Sequence, residues 1–119
     1  MKVILFIAFS MLLIFATCRK SSDGIASDTP RCVHDEIANN QTNEDWMIGS
    51  VEEYLFQNKL VYAFQPDETK IADGATTIKD ENCNTICNVG GFGGPSINLC
   101  NGENFFQLAV LKRTIWKKK

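Results

Sequence analysis

Between Asp80 and Cys100 the chain reads Asp-Glu-Asn-Cys-Asn-Thr-Ile-Cys-Asn-Val-Gly-Gly-Phe-Gly-Gly-Pro-Ser-Ile-Asn-Leu-Cys, with three cysteines, four closely spaced glycines, a proline and four asparagines. So much Gly, Asn and Pro cannot sustain a helix or a long strand, so the segment needs covalent or tertiary restraint to hold a shape. Its cysteines are placed to supply that restraint.

The redox setting follows from the amino terminus. Lys2 precedes an uncharged apolar run from Val3 to Ala16, the pattern of an export signal, and the run is shorter than the roughly 20 residues a membrane-spanning helix needs. Its end, Phe15-Ala16-Thr17-Cys18, resembles the lipobox of bacterial lipoproteins, in which the cysteine is acylated and becomes the mature amino terminus. Ordinary cleavage after Cys18 at a small-x-small site is the alternative. Residues 1–17 are therefore expected to be a lipoprotein signal peptide and Cys18 its lipidation site. Several acyl chains, at roughly 0.8 kcal/mol per buried methylene, would anchor the protein stably.

Either reading removes Cys18 from disulfide chemistry and leaves Cys32, Cys83, Cys87 and Cys100. In an oxidising compartment a small domain with four cysteines is expected to form two disulfides, and closing the Cys87 to Cys100 loop would contribute roughly 3 kcal/mol. Spacing separates the three connectivities only in part. On one extended strand Cys83 and Cys87 would stand about 13 Å apart, beyond the limit of about 7 Å for a disulfide, so pairing them would require a turn. Cys87 with Cys100 and Cys32 with Cys83 is the preferred arrangement. A zinc site from Cys83, Cys87 and Cys100 with either Cys32 or His34 is the competing reading, but Cys-x-x-x-Cys without a second knuckle fits structural zinc poorly.

Residues 18–30 are rich in Ser, Asp, Thr and Gly and read as a flexible tether, with a single domain over 31–119. Asp28 or Thr29 can cap a helix with Pro30 in its first turn, and Val33, Ile37 and Ala38 share one face. Apolar β-formers on both sides of Gln57-Asn58-Lys59 predict a hairpin, with Leu60, Tyr62 and Phe64 on one face of its second strand. Further strands are expected at Thr76–Ile78, Thr85–Cys87 and Thr114–Trp116. The spacing of Phe105, Leu108, Ala109 and Leu111 suggests a helix, with a strand also open. The fold class is α+β: a small antiparallel sheet with one or two short helices, disulfide-stapled.

Loss of the signal leaves eleven basic against fourteen acidic residues, a net charge of −3, which offers nothing to nucleic acid. Lys117-Lys118-Lys119 reads as a solvated, frayed tail, with contact to anionic headgroups as the alternative. Asp80-x-Asn82-x-Asn84 opens like a calcium loop but continues with Thr85 where Gly is needed and Gly91 where Glu belongs, so a turn of Asx residues is expected. Gly90-Gly91-Phe92-Gly93-Gly94 lacks the Gly-Lys-Ser/Thr ending of a phosphate loop. His34 is the one histidine, and no serine stands in a nucleophile-elbow context. Asn40-Gln41-Thr42 is a sequon that matters only in a eukaryotic secretory route.

The order Lys59-Leu60-Val61-Tyr62, Asp80 to Cys87, Gly90-Gly91, Gly93-Gly94, Cys100 and Ile115-Trp116 is similar to a family of small uncharacterised lipoproteins of Bacteroidota, a domain of unknown function. Cys83 stands where that pattern has a turn glycine. The resemblance spans residues 31–117 and implies no activity. The expectation is a non-catalytic envelope lipoprotein acting as a binding or structural module, without cofactor or metal, whose partners are the membrane through its lipid and an envelope protein. A soluble secreted inhibitor or ligand-binding domain is the alternative, and an enzyme using His34 or a metal a third. The expected interaction surface is the Val89–Leu99 loop with the adjoining Tyr62 and Phe64. Phe92 there either covers the core or meets a partner.

Overall fold

A computed structural model describes residues 24–93 and 95–119; the expected signal peptide and Cys18 lie outside them. Helix α1 spans Arg31–Asn40, and strands β1 (Ile48–Phe56), β2 (Lys59–Pro66), β3 (Thr76–Lys79) and β4 (Thr85–Val89) follow as two hairpins. After a 3₁₀ turn at Pro95–Asn98 come the two-residue strands β5 (Leu99–Cys100) and β6 (Glu103–Asn104), a short helix α2 (Phe105–Leu108) and the long strand β7 (Val110–Lys117). Five strands form one antiparallel sheet in the order β4-β3-β2-β1-β7, and β5 with β6 forms a second. This is the expected α+β class.

Each hairpin has a local cause. Gln57 and Asn58, at φ 51° and 62°, make the two-residue turn whose twist matches that of the strands they join. In the β3–β4 turn, Asp80 Oδ1 accepts the N–H groups of Asn82 and Asn84 at 2.9 Å each, so this is the expected Asx turn. It carries Cys83 at φ 64°, a left-handed conformation that glycine adopts freely and a side chain resists. What holds Cys83 there is its bond to Cys32, with Cα atoms 5.9 Å apart.

Strand β2 is buried along Val61, Tyr62, Ala63 and Phe64, so both faces of the sheet are covered. On one face Val33 and Ile37 of α1 pack against Val51, Tyr62, Phe64, Ile115 and Trp116. The helix starts after Pro30, which is itself the cap residue; neither Asp28 nor Thr29 caps it, because the Thr29 hydroxyl donates to the Ala26 carbonyl instead. The expected tether is shorter than 18–30. Ile25 is only 1% exposed and belongs to this core, and the Ala26 N–H donates to the Ile115 carbonyl, so packed chain extends at least six residues ahead of Arg31.

On the other face Cys100 and Phe105 close over Phe56, Val61, Ala63, Ile78 and Val89. Cys87 bonds Cys100 with Cα atoms 5.4 Å apart, so both preferred disulfides are present. The helix expected from Phe105 to Leu111 stops at Leu108. Phe105 alone of that set is buried, and from Val110 the chain pairs with β1 as an edge strand, tertiary pairing overriding helical spacing.

A polar row crosses the α1 face, following the register Lys79↔Tyr62↔Glu53↔Arg113 over four strands. Glu53, whose side chain is 9% exposed, accepts from the Tyr62 hydroxyl at 3.1 Å and from Arg113 Nε at 3.3 Å. The same guanidinium donates to the carbonyls of Ser27 and Asp28, fastening the N-terminal segment to the sheet. Lys79 pairs with Glu36 of α1 at 2.6 Å and lies over the Phe64 ring. Arg113→Leu would leave Glu53 buried without its cation. Exposed pairs are worth little and fully buried ones several kcal/mol, so we expect a loss of about 2 kcal/mol in urea unfolding for this half-covered pair.

Candidate functional site

The structure separates the residues expected to form one interaction surface. Tyr62 and Phe64 are core residues on the α1 face, at 2% and 1% exposure, and can present nothing to a partner. The hairpin pattern identified their shared face correctly, but α1 covers that face. Phe92, in contrast, is 88% exposed on its glycine loop, which settles its position outside the core. That loop is pinned at its base, where the Gly90 N–H donates to the Ile97 carbonyl. Gly91, at φ 83°, sits tight against the Asp73 carbonyl, where any added Cβ would lie 3.2 Å from that oxygen.

The sheet has two ends of different character. At one lie the start of β1, the ends of β2, β4 and β7, and the Phe92 loop, as the pairs Ile48↔Pro66, Ser50↔Lys117 and Thr76↔Val89 require. Gly91 shares a recess here with Pro66, Glu68, Ile71, Asp73 and Gly74. The lysine tail is not frayed: Lys117 ends β7, while Lys118 donates through its N–H to Gly49 and through Nζ to Asp67 at 2.9 Å. That bond, with donations from the Thr69 hydroxyl and N–H, holds the Asp67 carboxyl down at about 2.

At the opposite end the register Leu60↔Leu55↔Val110 sets an apolar row across three strands, with Leu60 47% and Val110 54% exposed. Phe106, Leu108 and Leu111 are also exposed in the neighbouring stretch of chain. Two turns close this end, the Gln57 and Asn101 side chains bonding across them. Sequence reasoning noted the helical spacing of Leu108 and Leu111, left a strand open, and named no surface at this end. The signal was the approach to β7, where apolar residues run consecutively instead of at helical intervals.

Other candidate groups stand apart. His34 is half-exposed on α1, with Nδ1 3.3 Å from its sequence neighbour Asp35. The four cysteines of the zinc alternative are in two disulfides, one under each cover of the sheet. Among the described residues no group of three or more His, Cys, Asp or Glu is placed to hold a metal ion, and no helix is long and apolar enough to cross a membrane.

The architecture is thus that of a small disulfide-stapled α+β domain. The family model "Domain of unknown function (DUF6970)" matches residues 36–118, and the chain belongs to that family. No curated protein and no solved structure matches the chain.

Two measurements follow from this geometry. Because Phe92 touches so little, Phe92→Ser should change unfolding free energy by less than about 0.5 kcal/mol; a drop of several degrees in Tm would put the ring back in the core. The only two tyrosines, Tyr54 and Tyr62, are both pushed up to about 12, by burial first and then by the carboxylates of Glu52 and Glu53 that their hydroxyls meet. A folded value above the unfolded one near 10 means stability that is complete below pH 10 and lost as pH rises through about 12. Ultraviolet titration of the native protein should therefore show almost no tyrosinate at pH 10.5, with both phenols ionising there once urea unfolds it.

Proposed function

We propose that this chain is an exported lipoprotein of the Bacteroidota type, held in the cell envelope through acylated Cys18 and acting as a non-catalytic binding or structural module. The observation that carries the reading is the pairing of four of the five cysteines with one another. Such bonds persist in oxidising compartments, and the cysteine they leave over is the one that ends the apolar leader. Ile25 already belongs to the core, so at most six residues separate Cys18 from packed chain. The absence of a role in catalysis is supported by the setting of the reactive groups: among the described residues, half-exposed His34 has only its sequence neighbour Asp35 beside its ring, and the thiols are oxidised. Phe92 on its pinned loop is the group best placed for binding, and a disulfide at the loop's base reduces the entropy lost on engagement.

Expression in a bacterial host with fatty-acid labelling tests the anchor. The wild type is expected in the membrane fraction with its mass raised by acyl chains, and Cys18→Ala should lose both properties. A variant that stays membrane-bound would overturn the lipoprotein reading, and a wild type released at native mass would identify a soluble secreted domain. Alkylation without reduction should find no free thiol at Cys32, Cys83, Cys87 or Cys100.

A further inference from the structure

The way the chain enters the domain orients it. Gly24 shares a recess with Trp116 and Lys117–Lys119, at the end of β7. From there the segment runs back along β7, its Ala26 N–H meeting Ile115 and its Ser27 and Asp28 carbonyls meeting Arg113. The polypeptide therefore reaches the domain at the end that also presents Phe92. Gly24 lies beside β7 and the Phe92 loop follows β4, the two outer strands, and at about 4.8 Å per strand step they bracket this end over roughly 19 Å.

We propose that this end of the domain seats on the phospholipid surface to which Cys18 is anchored, with the Phe92 ring entering the boundary between headgroups and acyl chains. The inference rests on the lipoprotein reading above. Its first support is reach. Six residues from Cys18 to Gly24 span at most about 20 Å, so an anchored Cys18 would keep Gly24 within that distance of the bilayer. Its second is the exposure of Phe92, a large apolar ring at 88% on a loop whose base is fixed by a disulfide and a backbone hydrogen bond.

Charge does not drive this contact. The lysines at this end, Lys70 and Lys117–Lys119, are matched by Glu44, Asp45, Asp67, Glu68 and Asp73, and Lys118 is already paired with Asp67. Binding should accordingly vary little with salt or with the fraction of anionic lipid. One phenylalanine side chain gives only a roughly 10- to 100-fold preference for apolar surroundings. That is too small to hold a free domain on a membrane. For a tethered domain, however, the surface is present at high effective concentration, and the same preference decides how it sits.

The test uses the acylated full-length protein in phosphatidylethanolamine/phosphatidylglycerol vesicles containing lipids brominated near the headgroup. Phe92→Trp and Leu60→Trp place a reporter at either end of the sheet, with the wild type supplying the background of Trp46 and Trp116. The added emission of Phe92→Trp is expected to be quenched several-fold more than that of Leu60→Trp, equally at 50 and 500 mM salt. Equal quenching at both positions, greater quenching at Leu60→Trp, or a shielded tryptophan at position 92 that bromine does not reach would each overturn the proposal, the last pointing to a protein partner or a second copy. Absence of acyl mass and of vesicle co-sedimentation would mark failure of the lipoprotein reading instead, and the orientation would fall with it.

Discussion

The fold depends on burying one strand from both sides. Val61, Tyr62, Ala63 and Phe64 are consecutive and all inaccessible, so β2 needs a cover on each face of the sheet. Neither cover could stand alone. One is a ten-residue helix and the other a 3₁₀ turn, two two-residue strands and a four-residue helix, all well below the length at which isolated helices persist in water. Each is therefore joined to the sheet by a covalent bond: Cys32–Cys83 ties α1 to the β3–β4 turn, and Cys87–Cys100 ties the second cover to β4. The disulfides are distributed as staples for covers, one per face, which is what a domain with little apolar area to bury requires.

The same demand explains the strained and charged positions. Cys83 occupies a left-handed turn position because the staple under α1 has to start there, and a side chain is held where glycine would be easier. The outer strands are protected by other means. The segment from Ile25 to Asp28 lies along β7, donating from Ala26 and accepting from Arg113, and so occupies part of an edge that would otherwise be open to another strand. Glu53 anchors this arrangement from inside the sheet. Its carboxylate satisfies Tyr62 and Arg113 together, and no buried side-chain nitrogen or oxygen among the described residues lacks a partner.

Much of this was legible in the sequence where period and turn chemistry agree. Gln57-Asn58 between apolar runs, and Asp80 to Asn84 between Ile78 and Thr85, gave both hairpins, and reach along a strand excluded a direct Cys83–Cys87 bond unless the chain turned. The misreadings share a cause, that burial on a two-sided sheet is decided by what covers it. Alternation placed Tyr62 and Phe64 on one face but could not tell that α1 would lie over them. The composition of residues 18–30 hid Ile25, a single large apolar residue among turn formers that fills a gap in the core. Phe105, Leu108 and Leu111 have the spacing of a helix, yet the chain needs only Phe105 inside, and β1 offers the rest a hydrogen-bonded edge.

The rows of the α1 face also separate stability from presentation. Phe64, Val51 and Trp116 form a dry row beneath the helix, and Lys79, Tyr62, Glu53 and Arg113 form a polar row beside it. Leu60, Leu55 and Val110 lie beyond, at the end remote from Gly24. Because the polar row is internally satisfied, it seals the dry row without help from the leucines, which can stay exposed with no loss to the core. Phe92 and this row thus sit at opposite ends of the sheet, with Phe92 at the end where the chain enters and where Met47 is also exposed. Under the proposed lipid anchor, a tether that joins beside Phe92 would leave the leucine row turned away from the membrane.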